Sequence, residues 1–212
     1  MTAAQERAEF CFLHADSGPE GLFRRFEAFE FVRSEKWFTF KAALNLLHQR
    51  GGKTIVETGT MRMHLDPAGG STKIFGEYCK RFGARLTTVD ISPQNMETSR
   101  RETVEYAGLI DYVVEDSVAF LKRFDRPVDL LYLDSQDCSP TGDSTPAQEH
   151  QVKEYLAAKH ALGLETVILL DDNGFPAPSY GKTRLLKRVL PDDGWECVAD
   201  RSQSLWQMKR MF

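Results

Sequence analysis

No two cysteines in this chain stand close enough to make a C-x-x-C pair; Cys11, Cys79, Cys138 and Cys197 are scattered. That spacing gives no zinc knuckle and no disulfide framework, so a reducing compartment, the cytoplasm, is the expected location. Positive charge is also in short supply. The formal net charge of the 212 residues is −4, which argues against a nucleic-acid or anionic-membrane partner. No run approaches the roughly 20 apolar residues of a membrane span, and the opening MTAAQERAEF has no apolar core of a secretory signal. Repeats and low-complexity tracts are missing too. So are the two glycine-rich phosphate loops. Gly51-Gly-Lys-Thr54 has the end of a P-loop, but Leu47 stands where the first glycine is needed and the segment precedes a strand. Glu57-Thr-Gly59-Thr with Gly69-Gly-Ser-Thr72 does not spell G-x-G-x-x-G. A nicotinamide dinucleotide, with Asp90 on a ribose, stays open as a weaker alternative.

What the chain does have is a repeated pattern. Five times an apolar, β-branched run stops on an acid: Thr54-Ile-Val-Glu57, Arg85-Leu-Thr-Thr-Val-Asp90, Asp111-Tyr-Val-Val-Glu-Asp116, Val128-Asp-Leu-Leu-Tyr-Leu-Asp134 and Thr166-Val-Ile-Leu-Leu-Asp171-Asp172. Continuous apolar runs suit parallel strands buried on both faces. Carboxylates are costly inside such a sheet and collect where the strands end. In an open α/β sheet that edge lines the ligand crevice. Acids there describe a site for a cationic or hydroxyl-rich ligand, or for a metal. The uncommitted reading of any single acid is a helix N-cap or an Asx turn.

Hydrophobic content of 42% against 27% charged is enough for one real core. Residues 22–50 carry Phe23, Phe26, Phe29, Phe31, Trp37, Phe38, Phe40, Leu44, Leu46 and Leu47 at mostly helical spacing, stopped by Gly51-Gly52. Core packing is the first reading of this aromatic segment, and a lid over a substrate pocket the second. Beyond it, helices are expected near 72–82, 93–107, 117–124, 147–162 and 181–190, alternating with the strands in right-handed βαβ units. The basic residues between Lys182 and Arg188 read as a solvated helix face. Gly194–Ala199 and Ser204–Lys209 read as an antiparallel pair closing the sheet edge. The expected architecture is a Rossmann-like, doubly wound, seven-stranded α/β sheet with an antiparallel last strand. An N-terminal helical segment, 1–52, covers a single globular unit, 53–212.

The order of these features resembles a class I S-adenosylmethionine-dependent methyltransferase over residues 53–209. The resemblance places the E-x-G turn, Glu57-Thr-Gly59, against the cofactor's methionine end, where glycine admits close backbone approach. It puts Asp90 on the ribose and Asp116 with Ser117 near the adenine. Thr60, Gly69, Ser71 and Asp134 complete the implied cofactor site. One departure is the nine-residue stretch Thr60 to Ala68 between the two glycine turns, an insertion carrying Arg62, His64 and Asp66.

Asp134 and Asp171-Asp172-Asn173 end consecutive strands and can face one another. Two carboxylates and an amide oxygen are a hard donor set for Mg²⁺. This is similar to the catechol O-methyltransferase type, whose pattern falls on Asp134, Asp172 and Asn173, with Asp171 as the alternative ligand. An ion there would lower the pKa of a bound hydroxyl and align it. No Lys or Arg adjoins these acids in sequence, so an ion is the expected neutraliser. That type has a lysine base three residues after the first Asp, whereas this chain has Asp137. Asp137, His150 or metal-bound hydroxide would then take the proton, His150 first because its ordinary pKa lies near neutrality. The expected reaction is Mg²⁺-assisted O-methylation of a small hydroxylated molecule. The alternatives are a metal-independent N- or protein methyltransferase and a non-catalytic nucleotide-binding module. Neither Asn/Asp-Pro-Pro-Tyr nor Pro-Cys is present, which disfavours methylation of bases. A homodimer remains open.

Overall fold

The computed structural model describes residues 19–26, 35–62, 70–138, 143–174 and 181–210. Phe29, Phe31, His64, Asp66 and Gly69 lie outside them. Seven strands form one sheet: β1 Thr54–Thr58, β2 Arg85–Asp90, β3 Ile110–Val114, β4 Val128–Leu133, β5 Leu162–Leu170, β6 Trp195–Asp200 and β7 Ser204–Met208. Their order is β3-β2-β1-β4-β5-β7-β6. β1 to β5 pair in parallel, and β7 runs antiparallel to both β5 and β6.

The continuous apolar runs are explained by two cores, one on each face. Ile55, Leu130, Val167 and Leu169 point into one, and Val56, Leu131, Ile168 and Leu170 into the other. Alternate side chains of one strand therefore both lose water, each burial contributing about 1.5–3 kcal/mol. The first core takes helices α1 (Glu20–Phe26), α2 (Glu35–Gln49) and α3 (Ser71–Phe82). Phe23, Phe26, Trp37 and Phe40 of the aromatic segment are core residues there, with Phe23 and Phe26 edge-on to Trp37 at 5.8 and 6.1 Å.

α4 (Pro93–Glu102) opens with Pro93, and Ser92 Oγ accepts from Asn95 N at 3.2 Å. Asp116 caps α5 (Ser117–Arg123) by accepting from Ala119 N at 2.9 Å. α5, α6 (Thr145–Ala158) and α7 (Leu186–Val189) cover the second core.

The helix expected over 181–190 is shorter than its pattern. Residues 182–185 form turns, α7 has four residues, and a 3₁₀ turn, Leu190–Asp193, follows. The cause is tertiary. A Cβ on Gly181 would stand 2.1 Å from Gly174 N and 2.8 Å from Asp172 O, so this backbone is pressed onto the end of β5. The solvated-face reading holds for Arg184 and Arg188, which are exposed, and fails for Lys182, which is 1% exposed.

Candidate active site

Glu57, at the penultimate position of β1, is fully buried and accepts from Ser71 Oγ at 2.5 Å and Thr72 Oγ1 at 2.8 Å. Burial pushes its carboxyl up to about 7, against the pull of those hydroxyls. Glu57 thus ties the start of α3 to β1. Gly59 follows with φ +79°, and its N–H donates to Val89 O at 2.8 Å. A Cβ here would lie 2.4 Å from Asp134 O. The close approach of the chain after β1 to the end of β4 therefore demands glycine before any ligand does.

A cleft with two lobes runs along the carboxyl ends of the strands; Asp90, Ile91 and Ser135 border both lobes. The larger, about 430 Å³, is completed by Val89, Asp116, Ser117, Gln136, Asp137 and His150. That volume lies within the roughly 300–1,000 Å³ of small-molecule sites. The smaller, about 120 Å³, lies against Gly59, Thr60, Arg62, Ser71, Asn95 and Asp134. Gly59, Thr60, Ser71, Asp90, Asp116, Ser117 and Asp134 among these are positions that the resemblance implied for the cofactor. Asp90 accepts from Ser92 N at 2.7 Å and Thr60 N at 3.3 Å, and Asn95 Nδ2 lies 3.3 Å from both its oxygens. A carboxylate has about four acceptor sites, so it is oriented without being exhausted. Thr60 is buried, donating to Ser99 Oγ at 2.8 Å.

The two candidate bases, His150 and Asp137, both line the larger lobe. His150 Nε2 lies 3.1 Å from Ser117 Oγ and 3.6 Å from the buried Glu154 Oε1, in the larger lobe. The Glu154 carboxylate beside it raises its pKa above the ordinary histidine value, against the effect of burial. Asp137 is gripped by Arg62, with Nη1 to Oδ2 at 2.5 Å and Nη2 to Oδ1 at 3.0 Å. Burial works against its ionisation, but the Arg62 guanidinium holds its carboxyl below the usual range, a poor setting for a base.

Asp134, Asp171 and Asp172 converge, with one carboxylate oxygen of each within 4.8 Å of the others. The ion expected to neutralise them is replaced by two lysines distant in sequence. Lys182 Nζ reaches Asp134 Oδ1 at 2.5 Å and Asp172 Oδ2 at 3.3 Å. Lys36, in the first turn of α2, reaches Asp171 Oδ2 at 2.8 Å and Asp172 Oδ1 at 3.4 Å. The buried ammonium of Lys182 stays charged because Asp134, Asp172 and Asp171 surround it.

Three acids and two lysines leave one negative charge. Burial and the neighbouring Asp171 push the Asp134 carboxyl well above the usual carboxylate range, despite Lys182. Asp171 is buried too, yet Lys36 and Lys182 hold its carboxyl below that range. Asp171 Oδ1 is buried and has no N–H or O–H donor, so the two carboxylates titrate as one coupled pair.

Asn173, an expected metal ligand, faces elsewhere. Its Nδ2 donates to Asp200 and to Arg201 O, while Oδ1 accepts from Thr183 Oγ1 at 2.7 Å and Lys187 Nζ at 3.0 Å. Its amide is spent fastening β5 to the β6–β7 hairpin. A divalent ion does not fit beside the lysines, because Asp134 Oδ1, Asp171 Oδ2 and both Asp172 oxygens already accept from ammonium groups. Asp172 is held at φ +52°, alone among the described non-glycine residues in the left-handed region. Asp tolerates that strain, and here it lets the consecutive carboxylates Asp171 and Asp172 both meet Lys36.

Lys36 and Lys182 are what the sequence did not disclose. A buried chain also joins the cluster to α2: Tyr132 OH donates to Asp134 Oδ2 at 3.4 Å and Gln203 Nε2 to Tyr132 OH at 3.2 Å. Thr39 Oγ1 lies 2.5 Å from Gln203 Oε1 and 2.8 Å from Lys36 O.

This topology, with its cleft over the ends of β1, β2 and β4, is that of a class I methyltransferase. The chain matches the family model for the methyltransferase domain over residues 56–173, more than half its length, and belongs to that family. Its fold is similar to that of the SAH-bound Podospora anserina methyltransferase PaMTH1, with a TM-score of 0.59 at 15% identity, covering 99% of this chain and 89% of that one. CalS11, a calicheamicin methyltransferase, gives 0.60 at 12% identity over 96% and 91%. NSun6 from Pyrococcus horikoshii with SFG gives 0.55 at 13% over 77% and 49%. No curated protein matches by sequence. Among the described residues, no helix is long and apolar enough to cross a membrane.

Proposed function

We propose that this chain is an S-adenosylmethionine-dependent O-methyltransferase of a small hydroxylated molecule, working without a metal. The observation that carries this reading is the Asp134–Lys182–Asp172–Lys36–Asp171 cluster beside Gly59, where Asp134 opens into the cleft. Asp90 would hold the ribose hydroxyls, Asp116 and Ser117 the adenine end, and His150 would serve that end through Ser117. When bound, the cofactor supplies a methyl already activated on a sulfonium. The protein's remaining work is to orient the acceptor and remove a proton. Asp134 and Asp172 receive the acceptor hydroxyl and take its proton, while Lys182 and Lys36 stabilise charge developing on its oxygen. Two fixed ammonium groups thereby stand in for the Mg²⁺ of the catechol type. An amine acceptor is the second reading, favoured by the four acids bordering the cleft, Asp90, Asp116, Asp134 and Asp137.

The test is methyl transfer from labelled S-adenosylmethionine to panels of small hydroxylated and amine acceptors, with EDTA or Mg²⁺. Alkali-stable O-methyl product at equal rates under both conditions is expected. Loss of transfer in EDTA with recovery in Mg²⁺ would sink the metal-free mechanism, and methylated amines alone would sink the hydroxyl acceptor.

A further inference from the structure

The fork of Arg62 is occupied by a carboxylate that it has little energetic reason to keep. Its bidentate contacts with Asp137 join the segment after β1 to the loop after β4. Both side chains are about half exposed, at 47% and 57%, and an exposed ion pair of this kind is worth about 0–1 kcal/mol. Arg62 lines the smaller lobe with Gly59, Ser71 and Asp134. Among the described residues bordering either lobe, it is the one side chain cationic at every ordinary pH, and in the smaller lobe the other charged groups, Asp90 and Asp134, are acids. The aminobutyrate arm of S-adenosylmethionine carries a carboxylate as well as an ammonium. Asp90 and Asp134 would welcome the ammonium and repel the carboxylate, so that carboxylate needs a cation within this lobe. Guanidinium meets carboxylate through two parallel N–H donors, the geometry Asp137 now fills.

We propose that Arg62 is the ligand of the cofactor's α-carboxylate, and that binding exchanges Asp137 for that carboxylate on the same fork. The proposal rests on the cofactor reading above and adds to it a residue and an exchange of partners. Asp137 is then a placeholder that keeps an otherwise uncompensated guanidinium satisfied while the site is open. Its release uncouples the loop after β4 from the segment after β1.

Calorimetry with S-adenosylhomocysteine and with its decarboxylated analogue isolates the one group concerned. Arg62→Met should weaken S-adenosylhomocysteine roughly 10- to 100-fold, the scale of a hydrogen bond to a charged group. The decarboxylated analogue should bind that variant within about twofold of wild type. Asp137→Asn, which removes the competitor but leaves Arg62 in place, should tighten S-adenosylhomocysteine up to roughly fivefold. Equal losses for both ligands in Arg62→Met, or a weakening in Asp137→Asn, would overturn the exchange while leaving the cofactor reading standing. Wild-type protein that binds neither ligand would remove the cofactor reading and this assignment together.

Discussion

Replacing Lys182 with methionine removes one charge and keeps most of the stem, so it tests what closes the acid cluster. Its contacts at 2.5 Å and 3.3 Å amount to roughly 5–7 kcal/mol each in gross Coulomb energy at an effective dielectric of about 20. Much of that is offset by the cost of burying the ammonium, so the pair's net worth is small. The loss comes from what is left behind, three close carboxylates with only Lys36, and breaking a buried pair costs about 3–5 kcal/mol. Urea denaturation at pH 7.5 should show that loss.

The sign with pH follows from the same atoms. Acids crowded in the folded protein bind protons more tightly than in the unfolded chain. The variant should therefore be least impaired at pH 5 and lose further stability as pH rises. Asp134→Asn in the same background should recover part of the loss. Mn²⁺ at about a hundred times its dissociation constant should also raise the variant's stability by roughly 2.7 kcal/mol, while leaving wild type unmoved. A loss under about 1 kcal/mol at pH 7.5, or equal Mn²⁺ stabilisation of wild type, would refute the claim that Lys182 holds the place of an ion.

Two further outcomes concern the β1 turn. Gly59→Ala should lower stability by at least about 1–3 kcal/mol, from positive φ and a Cβ 2.4 Å from Asp134 O; a melting temperature within a degree or so of wild type would mean the close approach of this turn to the end of β4 yields freely. Glu57, with its carboxyl pushed up to about 7 by burial, holds its proton in the folded state over a range where the unfolded chain has lost it. Its contribution is intact below about pH 4.5, declines by roughly 3 kcal/mol as pH rises to 7 and is flat above. Glu57→Gln should flatten that segment of the urea-midpoint curve, and an unchanged slope would assign the decline to other groups.

The strand ends were legible because burying both faces of a parallel strand forces an unbroken apolar run and expels carboxylates to its end. Asp90, Asp116, Asp134 and Asp171 stand where that rule puts them, whereas Glu57 is fully buried inside β1, held there by Ser71 and Thr72. Lys182 was not legible, since its burial depends on Gly181 packing against Asp172 and Gly174, a contact without periodicity. Among Arg184, Lys187 and Arg188 it reads as one more solvated charge. Lys36 pairs with an acid 135 positions later, and nothing in its helix marks it. Asn173 misled for the opposite reason. An Asn after a strand end has the chemistry of a ligand, but its amide is used by the hairpin.

The placement of β7 between β5 and β6 constrains the order of assembly. β6 is made first, yet among the described strands its hydrogen-bonded neighbour is β7 alone. It cannot join the five parallel strands directly and reaches the sheet only through β7, whose Leu205 and Trp206 carry apolar surface to opposite cores. The same docking brings Asp200, Arg201 and Ser202 to Asn173 and Gln203 to Thr39 and Tyr132. The acid–lysine cluster is therefore keyed into place by the segment that completes the sheet, and a chain that has paired only its five parallel strands has the acids without their alignment.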